Sequence, residues 1–130
     1  MRDRRLGYRI PLDRMLTLFV NDRPLRALVL DVSDTGLRID VVAGRAPAAG
    51  TTVQLELPIP DGGEPIWASA TVRYQRPDDL ASGLGVRLVA LATCDARRLR
   101  DFCIQARHRK LGALLARVTR AVPGMRATPA

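Results

Sequence analysis

The sequence predicts a mainly β domain, six short antiparallel strands forming a small barrel or sandwich, followed by one long helix. Three observations carry that expectation. Six β-rich runs lie between Met15 and Ala90, turn chemistry separates them, and beyond Thr93 the apolar spacing changes from two to three and four. Short antiparallel strands at this density favour closure, which removes edges that would otherwise invite aggregation.

Met15 to Val20 forms the first run, and Asn21-Asp22-Arg23-Pro24 supplies a turn before Leu25 to Val32, which makes a hairpin. Ser33 to Gly36 is the next turn and Leu37 to Val42 the third strand; Ala43 to Gly50 reads as a loop. In Thr52 to Leu57, Val53, Leu55 and Leu57 alternate with polar neighbours, the period of a half-buried strand. Asp61-Gly62-Gly63 turns the chain into a longer strand, Ile66 to Gln75, expected to carry Ala68, Ala70, Val72 and Tyr74 on one face and Trp67 on the other. Leu84, Val86, Leu88 and Ala90 mark the sixth strand.

Leu99, Phe102, Cys103 and Ala106, then Leu111, Leu114, Leu115 and Val118, trace the apolar stripe of a single helix. Asp95 is its expected N-cap, Pro123-Gly124 its stop, and several arginines give it a basic side.

The chain has 130 residues, 47% hydrophobic and 4% aromatic, enough for one core and too few for a second. No apolar run approaches the roughly 18 residues of a membrane span, and the basic start is followed by no apolar export segment, so a soluble, cytoplasmic protein is expected. Charge is unevenly placed. Residues 1–9 carry +3, residues 10–94 carry −2 and residues 95–130 carry +7, within a total of +8. All but one of the 21 cations are arginine, Lys110 being the exception, which points to anionic partners.

Catalysis and metal binding find no support. His108 is the one histidine and sits among cations, so it has the makings of a solvated residue, not a general base. Cys94 and Cys103 form no Cys-x-x-Cys pair and are expected to be small buried apolar residues. Asp78 and Asp79, beside Pro77, read as turn residues, and no phosphate-binding loop, dinucleotide fingerprint or nucleophile elbow is present.

Two short motifs remain. Arg5-Leu6-Gly7-Tyr8-Arg9 places two arginines four apart, and Asp31-Val32-Ser33-Asp34-Thr35-Gly36 follows the second strand. The arginine pair alone is weak in so arginine-rich a chain. The second motif is rarer, expected by chance in roughly one such chain in fifty. Gly7 and Pro11 discourage helix, so Arg5 and Arg9 belong to a mobile arm. Guanidinium forks bind phosphate oxygens or the O6/N7 edge of guanine, while Asp31 accepts guanine N–H donors, Ser33 can donate to an oxygen and Gly36 permits a tight turn.

With these residues the sequence resembles the PilZ domain family, bacterial receptors for the second messenger cyclic di-GMP. The resemblance covers about residues 4–105 and includes Gly85-Val86-Arg87-Leu88, where the family typically closes its last strand with an aromatic and this chain has Leu88. It implies a six-stranded antiparallel β-barrel with a C-terminal helix. It also implies that Arg5 and Arg9 clamp guanine and phosphate, that Asp31, Ser33 and Gly36 hold the ligand on the barrel, and that Arg4 accompanies two ligand molecules where others bind one. The expected layout is a basic ligand-binding arm over 1–12, the barrel over 13–93, the helix over 94–122 and a tail over 123–130. A downstream protein partner is expected to read the ligand-bound state.

Two rival expectations come from the helix. Its arginines could bind nucleic acid, although few aromatics are available for stacking and a DNA-reading motif is missing. Its stripe from Leu111 to Val118 could serve a nucleotide-independent interaction scaffold or a helix-mediated homo-oligomer.

Overall fold

A computed structural model describes residues 9–77 and 82–121. Six strands, β1 (Ile10–Val20), β2 (Arg23–Val32), β3 (Gly36–Val41), β4 (Thr52–Leu57), β5 (Ile66–Pro77) and β6 (Ser82–Leu91), precede one helix, α1 (Thr93–Ala121). The strands close into a barrel in the order β1-β2-β3-β6-β5-β4, every neighbouring pair antiparallel, with β4 returning to β1. Asn21 and Asp22 both take left-handed backbone, φ 50° and 65°, the geometry that lets a two-residue turn follow the twist of β1 and β2.

Alternation fills the interior. Leu16 and Leu18, Ala27 and Val29, Leu37 and Ile39, Val53, Leu55 and Leu57 are all almost wholly buried. The first three turns of α1 join the same core through Leu99, Phe102 and Cys103, each such burial stabilising by roughly 1.5–3 kcal/mol for the larger two. Two ion-pair sets fix the helix further: Arg98 pairs with Asp61 of the β4–β5 loop and with Asp95, and Arg100 reaches Asp34 in the β2–β3 turn at 3.5 Å. These arginines tie α1 to the β4–β5 loop and to the β2–β3 turn.

Several details depart from the sequence pattern. β1 starts at Ile10, where Ile10 and Pro11 pair with Val32 and Asp31 at the end of β2 and Ile10 and Leu12 are buried. Asp95 lies in the first turn of α1, whose start at Thr93 makes it too late to cap; its charge meets the positive end of the helix there. Tyr74 is 40% exposed although Ala68, Ala70 and Val72 are buried, since the register of β5 on β6 shifts between Val72 and Tyr74 and the inward alternation stops there, Arg73 to Arg76 all being exposed. Trp67 is exposed and stacks on Phe19 outside the barrel, ring centroids 5.8 Å apart. Cys94 is exposed; Cys103 is buried, and burial pushes its thiol pKa up to about 11.

Candidate functional site

The second motif folds into the β2–β3 hairpin. Ser33 N–H donates to the Gly36 carbonyl at 2.9 Å, and the Ser33 hydroxyl accepts from the Gly36 and Thr35 amides at 3.2 and 3.3 Å. Ser33 therefore shapes the turn, and its oxygen is already engaged within it. Gly36 is required on different grounds: a Cβ there would collide with the Val86 carbonyl of β6 across the barrel seam.

Asp31 owes its position to a bulge. Asp31 pairs directly with Arg38, and the register of β2 on β3 shifts between Val29 and Asp31, so Leu30 is displaced and Asp31 stays outside while Val29 and Val32 both reach the core. Directly paired residues share a face. Val32 pairs with Leu37 in the core, which places Asp31 and Arg38 together on the outer surface. There Asp31 is only 6% exposed, because arginines cover it from two sides. Arg9 Nη1 donates to Oδ1 at 2.9 Å, and Arg38 Nε donates to Oδ2 at 2.7 Å. The hydrogen bond with Asp31, and after it the charge, raises the Arg38 pKa.

Beside this cluster a groove of about 610 Å³ runs over β3, β6 and β5. Arg9, Gly36, Arg73, Tyr74, Gly85 and Arg87 are among its walls, and none of its described lining residues is acidic. Its volume falls within the range of small-molecule sites. The Tyr74 ring lies over Gly85, where even a Cβ would strike it, and the Arg76 guanidinium stands 5.9 Å from the ring centroid. The Tyr74 ring thus stands between Gly85 and the Arg76 guanidinium, and the arginines along the groove provide for anion binding.

Of the residues the sequence singled out, Arg9, Asp31, Ser33 and Gly36 come together at one end of β2 and β3. Arg9 and Gly36 line the groove, Asp31 supports Arg9, and Ser33 lies beneath in the turn. Arg4 and Arg5, with Tyr8, lie outside the described residues, as do Asp78, Asp79 and the tail at 123–130. Arg38, Arg73, Tyr74 and Arg87 were missed. Arg38 could have been found, since a two-residue turn at 34–35 sets residue 31 opposite 38. Nothing local announces the other three, which reach the hairpin only through the pairing of β6 with β3 and of β5 with β6.

Comparison with known proteins extends these observations. A structure of the Bacillus subtilis inhibitor of motility, MotI/DgrA, superposes with a TM-score of 0.64 at 20% identity, covering 85% of this chain and 53% of that one. Escherichia coli YcgR in complex with c-di-GMP gives a TM-score of 0.58 at 15% identity over 90% of this chain and 50% of that one. The PilZ domain of YcgR with c-di-GMP gives 0.55 at 16% identity over 87% and 98%. The chain thus spans about half the length of the first two. At these identities the likeness is one of fold. No curated protein matches the sequence. The PilZ domain model matches residues 3–105, and with the closed six-stranded barrel and its terminal helix this shows that the chain belongs to the PilZ domain family.

Proposed function

We propose that this protein is a cytoplasmic receptor for cyclic di-GMP that binds and signals without catalysing a reaction. The observation that carries the proposal is the convergence of Arg9, held by Asp31, and Gly36 on a groove bordered by Arg73, Tyr74 and Arg87, with no acid among its described lining residues. That set matches a ligand with two phosphates and two guanines. The cations meet phosphate oxygens or guanine O6 and N7, and the Tyr74 face offers a stacking platform.

Asp31 is the acceptor for guanine N–H groups, and its two oxygens give it a way to fill that role. Arg38 keeps Oδ2 while Arg9 leaves Oδ1 for the ligand, so the carboxylate stays oriented as it changes partner. Arg4 and Arg5 close over the bound nucleotide. Ordering each arm residue costs about 1–2 kcal/mol, which several charge-assisted hydrogen bonds offset. Capacity for a second, intercalated ligand rests on Arg4.

The readout passes to a protein partner through the altered arm and hairpin. Support comes from the Arg100–Asp34 ion pair, which ties the motif turn to α1. Calorimetric titration with cyclic di-GMP, and with its linear dinucleotide as control, tests the proposal. Arg5→Ala and Arg9→Ala are each expected to weaken binding at least about tenfold. Unchanged affinity in both, or equal binding of the linear control, overturns it, and the stoichiometry read from Arg4→Ala decides between one ligand and two. Loss of amide exchange over residues 4–10 on binding is the accompanying expectation.

A further inference from the structure

Helix α1 carries two apolar faces where the sequence pattern reads as one. At 3.6 residues per turn, Leu99, Phe102, Cys103 and Ala106 centre on one side, while Leu111, Leu114, Leu115 and Val118 centre roughly 120° further round. The first face is sealed against the barrel. The second is open, its four side chains 43%, 44%, 68% and 49% exposed. On the side that would continue toward the barrel, the distal half instead places Lys110 and Arg117. The distal stripe is therefore a separate face, turned away from the barrel and not an unfinished edge of the core.

Its charge is equally one-sided. Asp101 is the last acid in the chain, and Arg107, Arg109, Lys110, Arg117 and Arg120 follow it within the helix. We propose that this distal segment lies along an anionic lipid surface, the Leu111–Val118 stripe at the acyl boundary and Arg107, Lys110 and Arg117, the cations beside it, at the phosphate level. The helix does not span, for none among the described residues is long and apolar enough to cross a membrane.

Charge complementarity selects this occupant over others. A second copy would set Lys110 and Arg117 against their own counterparts, and four partly exposed aliphatics fall short of the roughly 800 Å² per partner of a stable interface. Nucleic acid has use for the cations and none for the leucines. A single docked acidic helix would reach only the cations beside the seam, whereas a planar anionic surface acts on every cation within a Debye length of about 8 Å.

Flotation of the full chain with phosphatidylcholine vesicles, with and without phosphatidylglycerol, tests the proposal. Association is expected only with the anionic vesicles, and Leu115→Asp or the pair Leu111→Ser and Leu114→Ser should weaken it about tenfold. These positions are exposed, so an unchanged thermal transition verifies that the variants fold. Binding that ignores the leucine variants reports surface charge alone and overturns the proposal. So does failure to bind anionic vesicles, including the case where light scattering shows a dimer that Leu115→Asp dissociates. Cyclic di-GMP binding is measured on the same variants and is expected to persist, so the two proposals fail separately.

Discussion

Arg38 holds a single oxygen of Asp31 with two nitrogens, Nε at 2.7 Å and Nη2 at 2.6 Å, and leaves the other oxygen to Arg9. One arginine thus fixes the carboxylate to the barrel while the second contributes from the arm side. The turn at 34–35 sets Asp31 opposite Arg38, and the Leu30 bulge lets that pair face outward while Val29 and Val32 both point into the core.

The first prediction concerns that grip. Arg38→Gln leaves Asp31 free to turn toward Arg9 and should weaken cyclic di-GMP binding about tenfold by calorimetry. Arg38→Lys keeps the charge and loses the fork, so it should recover only part of the affinity. Equal affinity in wild type and Arg38→Gln would show that Asp31 needs no such support.

Gly36→Ala should destabilise the fold by about 1–3 kcal/mol in urea unfolding, because the new Cβ meets the Val86 carbonyl and backbone on both sides has little room to yield. The same change at Gly62, where the backbone is left-handed but nothing lies within contact of a Cβ, carries only the conformational penalty. Gly36→Ala should therefore also disturb the β3–β6 seam, visible as faster amide exchange at Val86 and Arg87.

The Arg98–Asp61 pair makes a pH prediction. The hydrogen bond from Arg98, followed by the Gly63 amide, lowers the Asp61 pKa from 3.8. A carboxyl whose pKa is depressed on folding contributes stability that is present above the unfolded value and is lost as pH falls through the folded one. Removing Arg98 takes away the largest part of that contribution and leaves the Gly63 amide. The stability difference between wild type and Arg98→Gln should thus be steady near neutrality and shrink as pH falls below 3.8. A difference that widens on acidification would contradict the assignment.

Thiol chemistry separates the two cysteines. At neutral pH, Cys94 should react with an aromatic disulfide reagent in the native protein and Cys103 only after unfolding. The folded Cys103 pKa, about 11, lies above the ordinary 9.0, so the protonated thiol is favoured by folding. Its contribution is complete below pH 9.0 and declines as pH rises toward 11, since the unfolded chain ionises first. Cys103→Ala should lose this alkaline limb.

Local chemistry was legible where it is local. Asn21-Asp22 and Ser33-Asp34-Thr35-Gly36 announce their turns, and Val53, Leu55 and Leu57 announce their strand, since a turn's dihedrals and a strand's period depend on neighbouring residues only. Tyr74 was placed on the wrong side because a bulge adds a residue without changing the composition of the run. The two helix faces were merged because spacings of three and four continue across Arg107 to Lys110, while the azimuth they define rotates.

By itself, then, the sequence determined the six strands, the helix, the basic ends and the Arg9, Asp31 and Gly36 motif residues, all of which follow from short-range pattern and residue chemistry. Tertiary structure alone decided that Arg73, Tyr74 and Arg87 border the same groove and that the distal leucines turn away from the barrel. Those relations depend on strand order, bulge position and helix docking, which arise from the closure of β4 on β1 and of β3 on β6 across long stretches of chain.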